Sequence, residues 1–190
     1  MDSLSDKKLI EMIKEKDQKE LNEKSKRLKL LISNTTDEYI PIPSLAFQYF
    51  EEARLCYYSG AFIATIFMVH LAFEELLRNH YRVIRGTNEK LVSKKGRRLN
   101  VDKASFSELI DNAKKERYIS KDDAKKLHKL RKIRNSLQHT KDVPPYGRSL
   151  LKSWLGQEIR LRTNIEKDAT WAIKLLLDRF LNICEIWKGF

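Results

Sequence analysis

Glycine and proline are scarce in this chain of 190 residues, six and four respectively, and there are two cysteines. With 34% charged and 42% apolar residues, the shortage of chain breakers is the composition of a globular helical protein and excludes a disordered one. Cys56 and Cys184 stand far apart with no CxxC or Cys/His cluster. Neither a zinc site nor a disulfide framework is signalled, and buried, reduced thiols are the simpler reading. Long apolar runs are also missing: the longest, Gly60 to Phe73, is interrupted by Thr65 and His70 and is too short to span a bilayer. The first residues mix charges of both signs and lack the apolar core of a signal peptide. A cytoplasmic location with no membrane partner is expected. No internal repeat, Gly-rich phosphate loop, GxSxG or HExxH occurs, so nucleoside-triphosphate, α/β-hydrolase and zincin chemistry have no support. No metal and no cofactor is called for.

What is present is positive charge. The formal net charge is +12, which favours a polyanionic partner through phosphate neutralisation and counterion release. The cations cluster: Arg78, Arg82, Arg85, Lys90, Lys94, Lys95, Arg97 and Arg98 run past a single acid, Glu89, and a second cluster runs from Lys114 to Arg134. A solvated helix face or loop is the alternative for either cluster.

The length fits one domain. Residues 1–33 read as a charged helical arm with a thin apolar stripe (Leu9, Ile13, Leu21, Leu28, Leu31), and residues 44–190 as a single helical bundle. Ser44 caps a helix running to about Tyr58, and Gly60 breaks the chain before the most apolar segment. There the apolar residues from Phe62 to Phe73 point in nearly every direction, so this helix belongs at the centre. Gly86 to Val101 reads as a basic loop. Ser105 to Glu108 and Ser120 to Asp123 resemble capping boxes opening two more helices, and Thr163 to Glu166 caps a last one with a stripe of Ala169, Ile173, Leu176, Phe180, Ile183 and Trp187. Trp171 lies off that stripe. The fold class is all-α, a helical bundle of about five to six helices.

One segment carries candidate chemistry. On the helix beginning near Lys121, the residues Leu127, Leu130, Ile133 and Leu137 form an apolar arc, and Arg134 lies inside it. A half-buried arginine requires an anion, because an unpaired buried charge costs several kcal/mol. Glu74, itself within a mostly apolar arc between His70 and Arg78, is the natural counter-charge, with an ordinary core salt bridge as the alternative. Asn135 and His139 share another face, about 100° and about 140° from Arg134 on a regular helix. Either the helix unwinds before His139 or a second subunit completes the site. His139 also suits a plain C-terminal cap. His70 with Glu74 has the spacing of two metal ligands without a third, His80 and His128 read as surface residues, and Tyr57, Tyr58, Tyr81 and Tyr118 as packing residues or base-stacking rings.

The sequence Arg134-Asn135-Ser136-Leu137-Gln138-His139 resembles the signature of the HEPN family, an arginine, usually then a polar residue, and a histidine after four to six intervening residues. The glycine-led apolar helix from Gly60 with its acidic Glu74 resembles the family's core helix, and the likeness spans roughly Ser44 to His139. In toxins of this family that are paired with nucleotidyltransferases, a tyrosine follows two residues after the histidine; here it is Lys141, so regulation by tyrosine modification is not expected. The resemblance implies a metal-independent endoribonuclease that attacks through the ribose 2′-OH. Its site would be composite, at the interface of a homodimer, with a possible antitoxin protein as partner. In that reading His139 is the general acid or base, Arg134 steadies the phosphoryl oxygens, Asn135 orients the phosphate or the histidine, and Glu74 holds Arg134. Arg78, Lys94, Lys95, Arg97, Arg98 and Arg131 would guide the RNA strand. The other reading is a non-catalytic HEPN domain that binds a nucleotide, nucleic acid or protein.

Overall fold

The computed structural model describes residues 6–33, 44–83, 91–92, 96–138 and 164–180. They form an all-α helical bundle: α1 (Asp6–Ile32), α2 (Ser44–Ser59), α3 (Phe62–Val83), α4 (Phe106–Lys115), α5 (Lys121–Gln138) and α6 (residues 164–180). Among the described residues no helix is long and apolar enough to cross a membrane.

The hinge between α2 and α3 follows from Gly60. It adopts φ +77°, donates to the carbonyl of Tyr57 (3.1 Å), and the next amide, Ala61, reaches back to Cys56 (2.8 Å). This paired closure of the last carbonyls ends α2 and turns the chain by a residue that lacks a Cβ. A Cβ there would meet the guanidinium of Arg27 at 2.9 Å, since α1 folds its last turns over the hinge and stacks Arg27 on Phe62 (5.7 Å).

α3 is central. Ile66, Val69, Ala72, Phe73, Leu76 and Leu77 are fully buried, as its all-round apolar pattern requires. Phe180 of α6 stacks on Phe50 of α2 at 5.0 Å and meets Phe73 edge-on at 6.1 Å, so three helices share one aromatic contact. The expected stripe of α6 is buried at Ala169, Ile173, Leu176 and Phe180, while Ile183 and Trp187 lie outside the described residues.

Ser105 and Glu108 form a full capping box at the start of α4. At α5 the shorter Asp123 donates its amide to Ser120 Oγ (3.0 Å) and takes the hydroxyl on its carboxylate (2.6 Å). Two sequence readings change. The basic loop contains a two-residue antiparallel ladder, β1 (Leu91–Val92) with β2 (Arg98–Leu99), which buries Leu91 and is pinned to α4 where the Asn112 side chain bonds both backbone groups of Val92 (3.1 and 3.3 Å). His80, read as a surface residue, is buried and stacks on Tyr118 at 3.4 Å; His128 is half-buried against Asp111 (3.1 Å).

Candidate functional site

Arg134 lies on the flank of α5 that packs against α3, half-buried as its place in the apolar arc requires. Its guanidinium sits 5.3 Å from the ring of Phe67. One terminal nitrogen donates to Asn135 Oδ1 (3.2 Å) and to Gln138 Oε1, so the long side chain wraps its own helix and joins the Asn135 direction that a bare helical wheel places far away. Among the described residues its buried Nε has no hydrogen-bond partner, and neither has the buried Nε of Arg131 one turn earlier.

Beside these two cations lies His70 of α3, buried, its ring edge-on to Phe106 at 4.5 Å. Burial first, and then the charges of Arg134 and Arg131, push its pKa down to about 4. The imidazole is therefore neutral near pH 7. Glu74 Oε2 approaches His70 Nδ1 to 3.5 Å without making a hydrogen bond, and among the described residues no third side chain completes a metal site.

The expected Glu74–Arg134 pair is not formed. Glu74 lies one turn before Arg78 on α3 and binds it instead at 2.6 Å, and among the described residues no carboxylate comes within ion-pair distance of Arg134 or Arg131. The reason is geometric: an i, i+4 partner on the same helix is held in place, whereas Arg134 has to reach across a packed interface already filled by Phe67 and His70. Arg78 in turn donates to the carbonyls of Val101 and Ala104 (the latter 3.3 Å) and lies 3.8 Å from Glu75. Its donors thus tie α3 to the segment entering α4, and it stands about 12 to 16 Å along the helix from His70 and Phe67. The geometry gives it a structural post in place of the expected strand-guiding one.

Arg97 and Arg98 are exposed on and beside β2, away from Arg134 in the chain and joined to α4 through the Asn112 clasp. His139, Lys94 and Lys95 lie outside the described residues. The structure therefore brings together Arg131, Arg134, Asn135 and, unforeseen, His70. The sequence did carry a signal for His70: it is the one titratable side chain in the apolar run of α3, one turn before Glu74. The tyrosines are packing residues, Tyr57, Tyr81 and Tyr118 buried and Tyr58 half-buried.

Compared with protein-family models, with curated proteins and with solved structures, the chain matches none.

Proposed function

We propose that this chain is a HEPN-type endoribonuclease that cleaves single-stranded RNA without a metal, through a site completed in a cytoplasmic homodimer. The observation that supports it best is the pair of half-buried guanidiniums on α5, Arg131 and Arg134, which share a face with no carboxylate in reach among the described residues. Such a pair needs an anion, and a phosphodiester fits the forked donors. Neutral His70 adds no competing positive charge. In this reading Arg134 steadies the phosphoryl oxygens, Asn135 positions its guanidinium, and His139 transfers the proton between ribose and leaving oxygen. Glu74 acts on His70 and Arg78, not on Arg134.

The test is cleavage of single-stranded RNA in EDTA, with 2′,3′-cyclic phosphate ends and DNA of the same sequence left intact. His139→Ala should lose about a hundredfold or more in rate while RNA binding persists, because a proton-transfer group acts in the transition state. Sedimentation should show a dimer; a monomer of 22.5 kDa at micromolar concentration sinks the composite site.

A second reading is a non-catalytic HEPN domain that binds nucleic acid, a nucleotide or a protein such as an antitoxin. The contacts of Arg134 with Asn135 and Gln138 of its own helix favour it, since they already occupy part of the fork. Tight, salt-sensitive RNA binding with no cleavage of any RNA would select it.

A further inference from the structure

Trp171 packs against the core without being buried in it. Its neighbours Ala172, Ile173, Leu176 and Phe180 turn inward on α6, while the indole stays half-exposed. It forms a wall shared by two adjoining hollows. The larger, about 740 Å³, lies between the end of α1, α5 and α6, and its cations are Lys29, Lys126 and Lys174. The smaller, about 480 Å³, runs towards the start of α6 and adds Lys167. Nζ of Lys129 sits 4.1 Å from the centre of the Trp171 ring. Lys126 is paired with Asp122 at 2.7 Å, whereas among the described residues no ion pair holds Lys29 or Lys174. Two acids, Glu166 and Asp178, line the hollows as well, and the four lysines at 29, 126, 167 and 174 outnumber them.

A half-exposed indole among ammonium groups, of which Lys29 and Lys174 are held by no ion pair among the described residues, asks for a ligand with a flat ring and nearby negative charge. An acidic peptide supplies the charge without a ring at each step, and a duplex keeps the faces of its bases stacked inside. Single-stranded nucleic acid presents both in every residue. We infer that this groove binds single-stranded nucleic acid, one base stacking on Trp171 and the flanking phosphates meeting Lys29, Lys126 and Lys174. The surface is separate from the Arg131–Arg134 face: on α5 the two lysines at 126 and 129 point about 80 to 160° away from the two arginines. The inference shares with the proposed function the nature of the partner and does not require cleavage.

The experiment uses the full chain and a fluorescein-labelled polyuridine oligonucleotide, followed by anisotropy, together with ultraviolet cross-linking of a 4-thiouridine version and peptide mapping. Cross-links should fall in the tryptic peptide 168–174, which contains Trp171. Trp171→Leu should weaken binding about tenfold, and Trp171→Phe, which keeps a ring, less than about threefold. Lys29→Gln combined with Lys174→Gln should lower the salt slope by about 1.4, the loss of two phosphate contacts on a single strand. Arg134→Ala and His139→Ala should leave the cross-link in place. Cross-links confined to other peptides overturn the inference even if a Trp171 variant proves unstable, because they are mapped on the unaltered chain. Unchanged affinity in a folded Trp171→Leu protein overturns it too, as does polyglutamate competing as well as polyuridine. Cleavage without a cross-link at 168–174 removes the groove alone; a cross-link there without cleavage removes the ribonuclease and leaves the groove.

Discussion

Burial beside Phe106, and the facing charges of Arg131 and Arg134, keep the imidazole of His70 neutral until about pH 4, while in the unfolded chain it takes a proton near pH 6.5. Between those values the unfolded state binds more protons, so stability falls as the pH falls. The contribution is whole above pH 6.5 and is lost on acidification towards pH 4, at up to about 1.4 kcal/mol per pH unit and on the order of 3 kcal/mol in total. Glu74 is the one carboxylate that faces the ring among the described residues, and its oblique 3.5 Å contact is too poor to reverse the sign. Thermal unfolding of the parent and of His70→Gln from pH 7 to pH 4.5 is the check: the Gln variant should show the shallower decline, and parallel curves would mean that His70 is not neutral in the fold. The pattern of apolar residues announced Arg134 as a half-buried cation, but not its partners. Which acid an arginine meets depends on whether a closer base on another helix is already engaged, and Glu74 has Arg78 one turn away.

Helix ends were the most legible elements, since Ser105, Ser120 and Gly60 act through local geometry that a few neighbouring residues determine. The turn between α4 and α5 was not legible, because it closes in the same glycine-type fashion without a glycine. Arg117 takes φ 61°, its amide bonds Lys114 (3.1 Å), and Tyr118 bonds Ala113 (2.9 Å). A left-handed conformation strains any residue with a Cβ, and the exposed Arg117 side chain makes no described contact that offsets the strain. Arg117→Gly should therefore stabilise the chain by about 0.5 to 1 kcal/mol, read as a higher denaturant midpoint with an unchanged slope. A lower midpoint would mean that the arginine contributes a contact outside the turn. The short β1–β2 ladder escaped sequence reading for a related reason: two paired residues have no periodicity, and the clasp that fixes them is a single buried asparagine on a helix twenty residues further on.

For the molecule as a whole, the all-round apolar α3 sets the class of fold and the charge of +12 motivates the polyanionic partner proposed above, whereas the placement of Trp171 among lysines from three helices emerges when the bundle closes. The sequence also separated a charged arm from the rest, and the structure divides that arm at a definite point. From Ile10 to Asn22 every side chain of α1 is exposed, apolar Ile10, Met12, Ile13 and Leu21 included; from Arg27 the helix leans on Phe62 and buries Leu31. A helical segment that buries nothing is held by local propensity alone, and such segments open far more often than the bundle beneath them. Limited trypsin should therefore cut first at Lys14, Lys16 and Lys19, well before any lysine on α3 to α6, and leave a product with the same thermal midpoint as the intact chain. Protection of those three sites would show that a second copy covers the stripe. The trimmed product would be a smaller chain that keeps Lys29, both arginines of α5 and the Trp171 groove.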